Sequence, residues 1–126
     1  MPNNIQQVYD YFTIEELACR HCGAYKFDPS FLALLNELRH RHGSPLIVTS
    51  GYRCPDHPVE INRATTGTHT SGKAIDLAVS HGDALSVIAI AHDLGVRRIG
   101  VQQKGDGRFI HLDVCTDRIS PACWSY

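Results

Sequence analysis

The sequence predicts an α+β fold in which a small, mainly antiparallel sheet packs against helices as a single domain, residues 1–126. Three observations carry this. The chain has 126 residues, 43% of them hydrophobic and 20% charged, the balance of an ordinary folded chain with one core and too few residues for two. Long segments with apolar residues at helical spacing alternate with short β-branched or alternating runs. The last two of those runs flank Lys104-Gly105-Asp106-Gly107, a hairpin signal.

Each element has its own warrant. Thr13-Ile14-Glu15-Glu16 is a capping-box pattern that opens a short helix, and the turn at Cys19–Cys22 with Gly23 ends it. Asp28-Pro29 reads as an N-cap followed by proline at the first helical position. Phe31, Leu32, Leu34, Leu35 and Leu38 follow at helical spacing, and Gly43 supplies the stop. This is the expected main core helix. His40 and His42 fall near its end, where a cationic side chain suits the helix dipole. Residues 46–50, Leu-Ile-Val-Thr-Ser, read as a buried strand.

An irregular stretch follows from Gly51 to Gly72, with a short helix expected near residues 59–64. Unstructured loops of this length are uncommon and often functional. Residues 73–79 read as a strand with Ile75, Leu77 and Val79 on one face and Ala74, Asp76 and Ala78 on the other. The first face belongs to the core. The second places a carboxylate between two small residues. A helix over residues 83–94 turns Leu85, Val87, Ile88, Ile90 and Ala91 inward, and Gly95 closes it. Residues 98–103 and 108–114 form the hairpin strands. In the second, Ile110, Leu112 and Val114 face the core, and Phe109, His111 and Asp113 share the opposite face. The tail after Asp117 reads as irregular and carries Trp124 and Tyr126.

Composition excludes several classes. Formal net charge is −1, and no run of Lys and Arg marks a nucleic-acid-binding arm. No apolar stretch approaches the roughly 20 residues of a membrane helix, so no membrane insertion is expected. The first residues lack the basic and apolar regions of a signal peptide, which implies a cytoplasmic location on synthesis. Five cysteines, Cys19, Cys22, Cys54, Cys115 and Cys123, are an odd number in a chain without a signal peptide, which argues against a disulfide framework. Cys19-Arg20-His21-Cys22 has metal-knuckle spacing but lacks a second such pair. Cys54 is another candidate, and Cys115 with Cys123 a loose candidate pair. The plainer reading is reduced, buried thiols.

The residues that carry chemistry are His69, Asp76 and His111. Two imidazoles and one carboxylate match the protein ligands of a catalytic zinc, which leaves a fourth position for water. Asp76 and His111 lie on the polar sides of two apolar strands, so they meet if those strands are neighbours. His69 lies in the loop entering the first strand and can fold back over it. Arg53, in Ser50-Gly51-Tyr52-Arg53, leaves the end of a strand. It can supply positive charge to an oxyanion or clamp a substrate carboxylate. His21, His40, His42, His57, His81 and His92 keep the ordinary reading of surface or hydrogen-bonded histidines.

At Ser50-Gly51-Tyr52-Arg53, Thr68-His69-Thr70-Ser71-Gly72-Lys73-Ala74-Ile75-Asp76 and His111-Leu112-Asp113, the sequence resembles the zinc D-alanyl-D-alanine carboxypeptidase family. That family includes dipeptidases, phage endolysins and murein endopeptidases, and it shares its fold with the Hedgehog signalling domain. The pattern is closest to the small single-domain group of phages and prophages, and Phe12–Cys19 is similar to that group's N-terminus. The resemblance implies a Hedgehog/DD-peptidase-like fold and His69, Asp76 and His111 as ligands of Zn2+. It implies Arg53 as the arginine that stabilises substrate or transition state, with Gly72 and Ala74 keeping the metal's surroundings open. It further implies a monomer that cuts the peptidoglycan stem peptide, acting on the wall after phage-type release or as a virion component.

Two positions depart from the family pattern. Gly67 stands where a serine is common. Arg108 stands three residues before the last histidine, where several branches carry a Glu or Asp as general base, and arginine cannot accept a proton at working pH. Asp113 and Asp106 are the remaining candidates, with Asp113 favoured by strand geometry. Asp113 can instead orient a ligand imidazole. A non-catalytic, zinc-containing cell-wall-binding module of the same fold is therefore the alternative. A nucleic-acid binder built on the Cys19–Cys22 knuckle is disfavoured by the near-neutral charge.

Overall fold

A computed structural model describes residues 10–61 and 67–126. Thr13 accepts a hydrogen bond from the Glu16 amide and the Glu16 side chain accepts one from the Thr13 amide, so the capping box forms and opens α1, Ile14–Leu17. Asp28 caps α2, Pro29–His42, through the Phe31 amide at 2.9 Å, and Gly43 ends it with a left-handed φ of 80°. A cap of this kind contributes about 1 kcal/mol. The third helix, α3, spans His81–Asp93. Among the described residues no helix is long and apolar enough to cross a membrane.

The strands are β1 (Ile47–Ser50), β2 (Ala74–Ala78), β3 (Arg98–Gln102), β4 (Phe109–Asp113) and β5 (Ala122–Ser125), in the order β1-β2-β4-β3-β5. Every pairing is antiparallel except β3 with β5. The sheet is two-faced. Val48, Ile75, Leu77, Ile99, Ile110 and Leu112 point to one side and form a single core with Phe31, Leu34, Leu35 and Leu38 of α2 and Ala84, Val87 and Ala91 of α3. Each large side chain buried this way contributes roughly 1.5–3 kcal/mol. Asp76 and His111 are direct cross-strand partners in the β2–β4 ladder and lie on the opposite side.

Several expectations change. The run at 46–50 is not a fully buried strand: β1 is an edge strand, with Val48 inward and Ile47 65% exposed. Thr49 is an extra residue in its ladder, a bulge, so that Ser50 rather than Thr49 stands opposite Asp76. Of the helix expected near 59–64, residues 59–61 form a turn, and 62–64 lie outside the described residues. A 3₁₀ turn, Thr68–Ser71, leads into β2 instead. Leu85 is not inward; it is 69% exposed, because α3 turns Ala84, Val87 and Ala91 to the core. The hairpin strands end one residue earlier on each side, since Gln103 donates its side-chain amide to Val79 O at 2.8 Å and Arg108 bonds the Gly105 carbonyl at 2.9 Å. The tail is not irregular: β5 docks beside β3 and carries Trp124 onto the polar face.

Candidate metal centre

Asp76 is held by the ladder itself. The sheet register sets it opposite His111, and its Oδ1 lies 2.9 Å from His111 Nδ1. His69 reaches the same oxygen from the 3₁₀ turn, its Nε2 at 3.3 Å. All three residues are buried, and one ligand atom from each lies within 4.8 Å of the others.

The tautomers follow from the outer partners. His69 Nδ1 donates to the Gly51 carbonyl at 2.8 Å, which leaves Nε2 as the bare nitrogen. His111 Nε2 donates to Asp113 Oδ2 at 2.7 Å, which leaves Nδ1 bare when the ring is neutral. In those neutral tautomers two nitrogen lone pairs face a carboxylate oxygen, so a proton or a metal ion must bridge them. This is a fit for a divalent metal: an N₂O donor set, with each imidazole tied behind by an acceptor, as zinc-ligating histidines are.

The electrostatics agree. Burial opposes ionisation of Asp76, but the hydrogen bonds with His111 and His69 outweigh it and hold the carboxyl well below its ordinary range. Burial opposes a charged His111 ring, yet its bonds with Asp113 and Asp76 push its pKa up. Positive charge is therefore favoured where the ligand atoms meet.

Arg53 stands at the rim. Its Nη2 lies 3.7 Å from Asp76 Oδ2, its Nε donates to Ser50 Oγ at 3.1 Å, and its Nη1 lies 3.4 Å from Glu60 Oε2. The bulge in β1 is what brings Ser50 to this side. Arg53, His69, Asp76 and His111 line a cleft of about 340 Å³ with Thr68, Phe109, Trp124 and Tyr126. Phe109 packs on Tyr126 at 5.1 Å between ring centroids, and Trp124 lies 5.5 Å from the His111 ring.

The two candidate bases fall elsewhere. Asp113 is wholly buried behind His111. Its Oδ1 takes Arg98 Nε at 2.7 Å and the Cys115 amide at 3.2 Å, while Oδ2 takes His111. Burial opposes its ionisation, but the hydrogen bond and charge of His111, with the Cys115 amide and Arg98, hold its pKa below the ordinary value. Asp106 is exposed in the hairpin loop and does not line the cleft. Gly72 serves the backbone more than the metal: a side chain there would strike the Lys26 carbonyl, and its φ is +74°. At Gly67, the amide donates to Glu60 Oε1 at 2.7 Å.

Sequence reasoning missed Glu60, Arg98, Gly100, Trp124 and Tyr126. Glu60 is a buried acid in a loop, with no periodicity to flag it. Arg98 was recoverable, because a hairpin closed around Gly105 sets Arg98 opposite Asp113. Gly100 stands between His111 and Trp124 across three strands, and a Cβ there would come within 2.7 Å of Trp124 Nε1. Its missing side chain lets the indole lie over the site.

A two-layer α+β fold thus carries on its polar face a buried His–Asp–His group able to hold a metal ion. The family model described as Peptidase M15 matches residues 10–113, and the chain belongs to that family of zinc peptidases, of the D-Ala-D-Ala carboxypeptidase type. No curated protein matches the chain.

Proposed function

We propose that the protein is a zinc-dependent peptidoglycan peptidase that hydrolyses an amide bond in the murein stem peptide or cross-link, as a carboxypeptidase or an endopeptidase of the endolysin type. The observation that carries this is the convergence of His69, Asp76 and His111 with both imidazoles tied behind, in a cleft rimmed by Arg53. When bound, zinc supplies Lewis acidity and lowers the pKa of water to about 7. His69, Asp76 and His111 hold that ion. Arg53 faces the open side and stabilises negative charge, either of the developing oxyanion or of a substrate carboxylate. Ser50 and Glu60 keep its guanidinium from swinging into solvent. Asp113 positions His111 rather than taking a proton, because both its oxygens are already occupied. Phe109, Trp124 and Tyr126 form an apolar wall for the peptide. The chain acts as a monomer on the cell wall, after phage-type release or as part of a virion.

A second reading has its own observation. Among the described residues, the cleft-lining carboxylate is Asp76, which is a ligand, and Glu60 beside it is engaged by Arg53 and Gly67. A wall-binding module that keeps the metal and lacks a base has this appearance.

Defined muropeptides incubated with the protein and analysed by mass spectrometry separate the two. The peptidase reading expects one cleaved bond, with loss of cleavage on chelation and recovery with zinc. Cleavage that survives in metal-free protein would sink it. Binding to purified walls without any release of fragments would establish the module.

A further inference from the structure

We propose that Cys19, Cys22 and Cys54 form a second metal site, a thiolate centre that takes zinc and staples the end of α1 to the loop after β1. The three sulfur atoms all lie within 4.8 Å of one another. A tetrahedral zinc with Zn–S of about 2.3 Å sets its sulfurs ~3.8 Å apart. Closing this trio onto an ion therefore needs a shift of about 1 Å or less in any pair.

The local backbone is shaped for it. Cys19-Arg20-His21-Cys22-Gly23 is a knuckle: Gly23 has φ +77°, and its amide returns to the Cys19 carbonyl at 2.8 Å. The Cys54 amide donates to Cys19 Sγ at 3.3 Å. An N–H donor on a sulfur favours thiolate over thiol. Three thiols crowded in this way are a ready ligand set for a divalent cation, which deprotonates a coordinating thiol outright.

A disulfide accounts for the cluster less well. It joins two sulfurs and leaves the third of a close trio unused. Tyr52 is buried with Cys19 and Cys54 and screens the cluster from one side. The fourth position falls to water or to an adjoining imidazole. His21 lies inside the knuckle and His57 lies three residues after Cys54, their ring centroids 6.0 Å apart. His57 Nδ1 already accepts the Val59 amide at 3.1 Å, which puts its ring proton on Nε2 and leaves that ring no free nitrogen lone pair.

The staple has a consequence for the other centre. Gly51 supplies the carbonyl that orients His69, and Arg53 directly precedes Cys54. Tying Cys54 to the knuckle fixes both from behind.

Cobalt substitution tests this independently of any peptidase activity. Reduced protein loaded with Co2+ is expected to show a near-ultraviolet thiolate-to-cobalt charge-transfer band and two bound equivalents. His69→Ala keeps the band and loses one equivalent; Cys22→Ser, at an exposed position, loses the band and keeps the fold by circular dichroism. Alkylation read by mass spectrometry is the second measurement: zinc spares Cys19, Cys22 and Cys54 and leaves the exposed Cys123 reactive. A missing band, a band unchanged in both Cys22→Ser and Cys54→Ser, or equal alkylation of Cys22 with and without zinc overturns the proposal.

Discussion

The two halves of the His–Asp–His centre are built differently. Asp76 and His111 are strand residues, placed by a continuous backbone ladder between β2 and β4. His69 and Arg53 are loop residues, placed by single hydrogen bonds that depend on one another. The Gly51 carbonyl orients His69, the His69 carbonyl accepts the Arg53 amide at 3.2 Å, and Ser50 accepts from the Arg53 side chain. The strand half inherits the stiffness of the whole sheet. The loop half keeps its geometry only while each member holds the next, so damage there spreads while damage in the strand half stays local.

The largest expected effect breaks the strand half outright. His111→Ala removes a ligand and the partner of both Asp76 and Asp113; one metal equivalent is expected to disappear from the purified protein and muropeptide release to fall to background. Retained release at a normal rate would separate this centre from catalysis. Next comes the loop half without its ligand: Arg53→Ala is expected to lower kcat by about 10²–10³-fold with metal content unchanged, read by steady-state kinetics beside elemental analysis.

Asp113→Asn sharpens the contrast from behind. It keeps the shape but weakens the hold on His111 Nε2, and metal affinity measured by chelator competition is expected to fall about 10–100-fold. Arg98 would also lose its buried counter-charge, so some stability goes with it.

Two glycine variants then compare the halves directly. Gly51→Ala would drive a Cβ into the Leu17 backbone, with the carbonyl oxygen at 2.5 Å. It is expected to cost about 1–3 kcal/mol of stability and to weaken metal binding through His69. Gly100→Ala first meets the Trp124 and Tyr126 side chains; the expected outcome is a several-fold rise in KM with stability and metal content nearly unchanged. If Gly100→Ala proves the more damaging to metal binding, the division into stiff and interdependent halves fails.

The same division explains what the sequence reveals. The strand half is legible from alternation: Ile75 and Leu77 against Asp76, and Ile110 and Leu112 against His111, place both ligands on polar faces before any pairing is known. The caps at Thr13 and Asp28 are legible because they are local chemistry. The loop half is not readable from spacing, since the bonds that hold His69 and Arg53 run to backbone carbonyls and hydroxyls, which any sequence has. Its roles came from family resemblance. The strand β5 escapes notice for a related reason. Four residues, Ala122–Ser125, pair in parallel with a strand some twenty positions earlier, and so short a run carries no pattern of its own. The exposure of Leu85 shows the limit of helical periodicity, which marks an apolar side but not how far around the helix the core extends.

The bulge at Thr49 has an effect beyond the cleft. An edge strand is an open template on which a second chain can add itself, and long regular edges are where association and aggregation begin. Strand β1 is only four residues long, its register breaks between Val48 and Ser50, and Arg20 donates to the Val48 carbonyl at 3.0 Å. An incoming strand finds two regular positions and then a distorted one. The irregularity that turns Ser50 toward Arg53 thus also blunts this margin of the sheet against unwanted copies of itself.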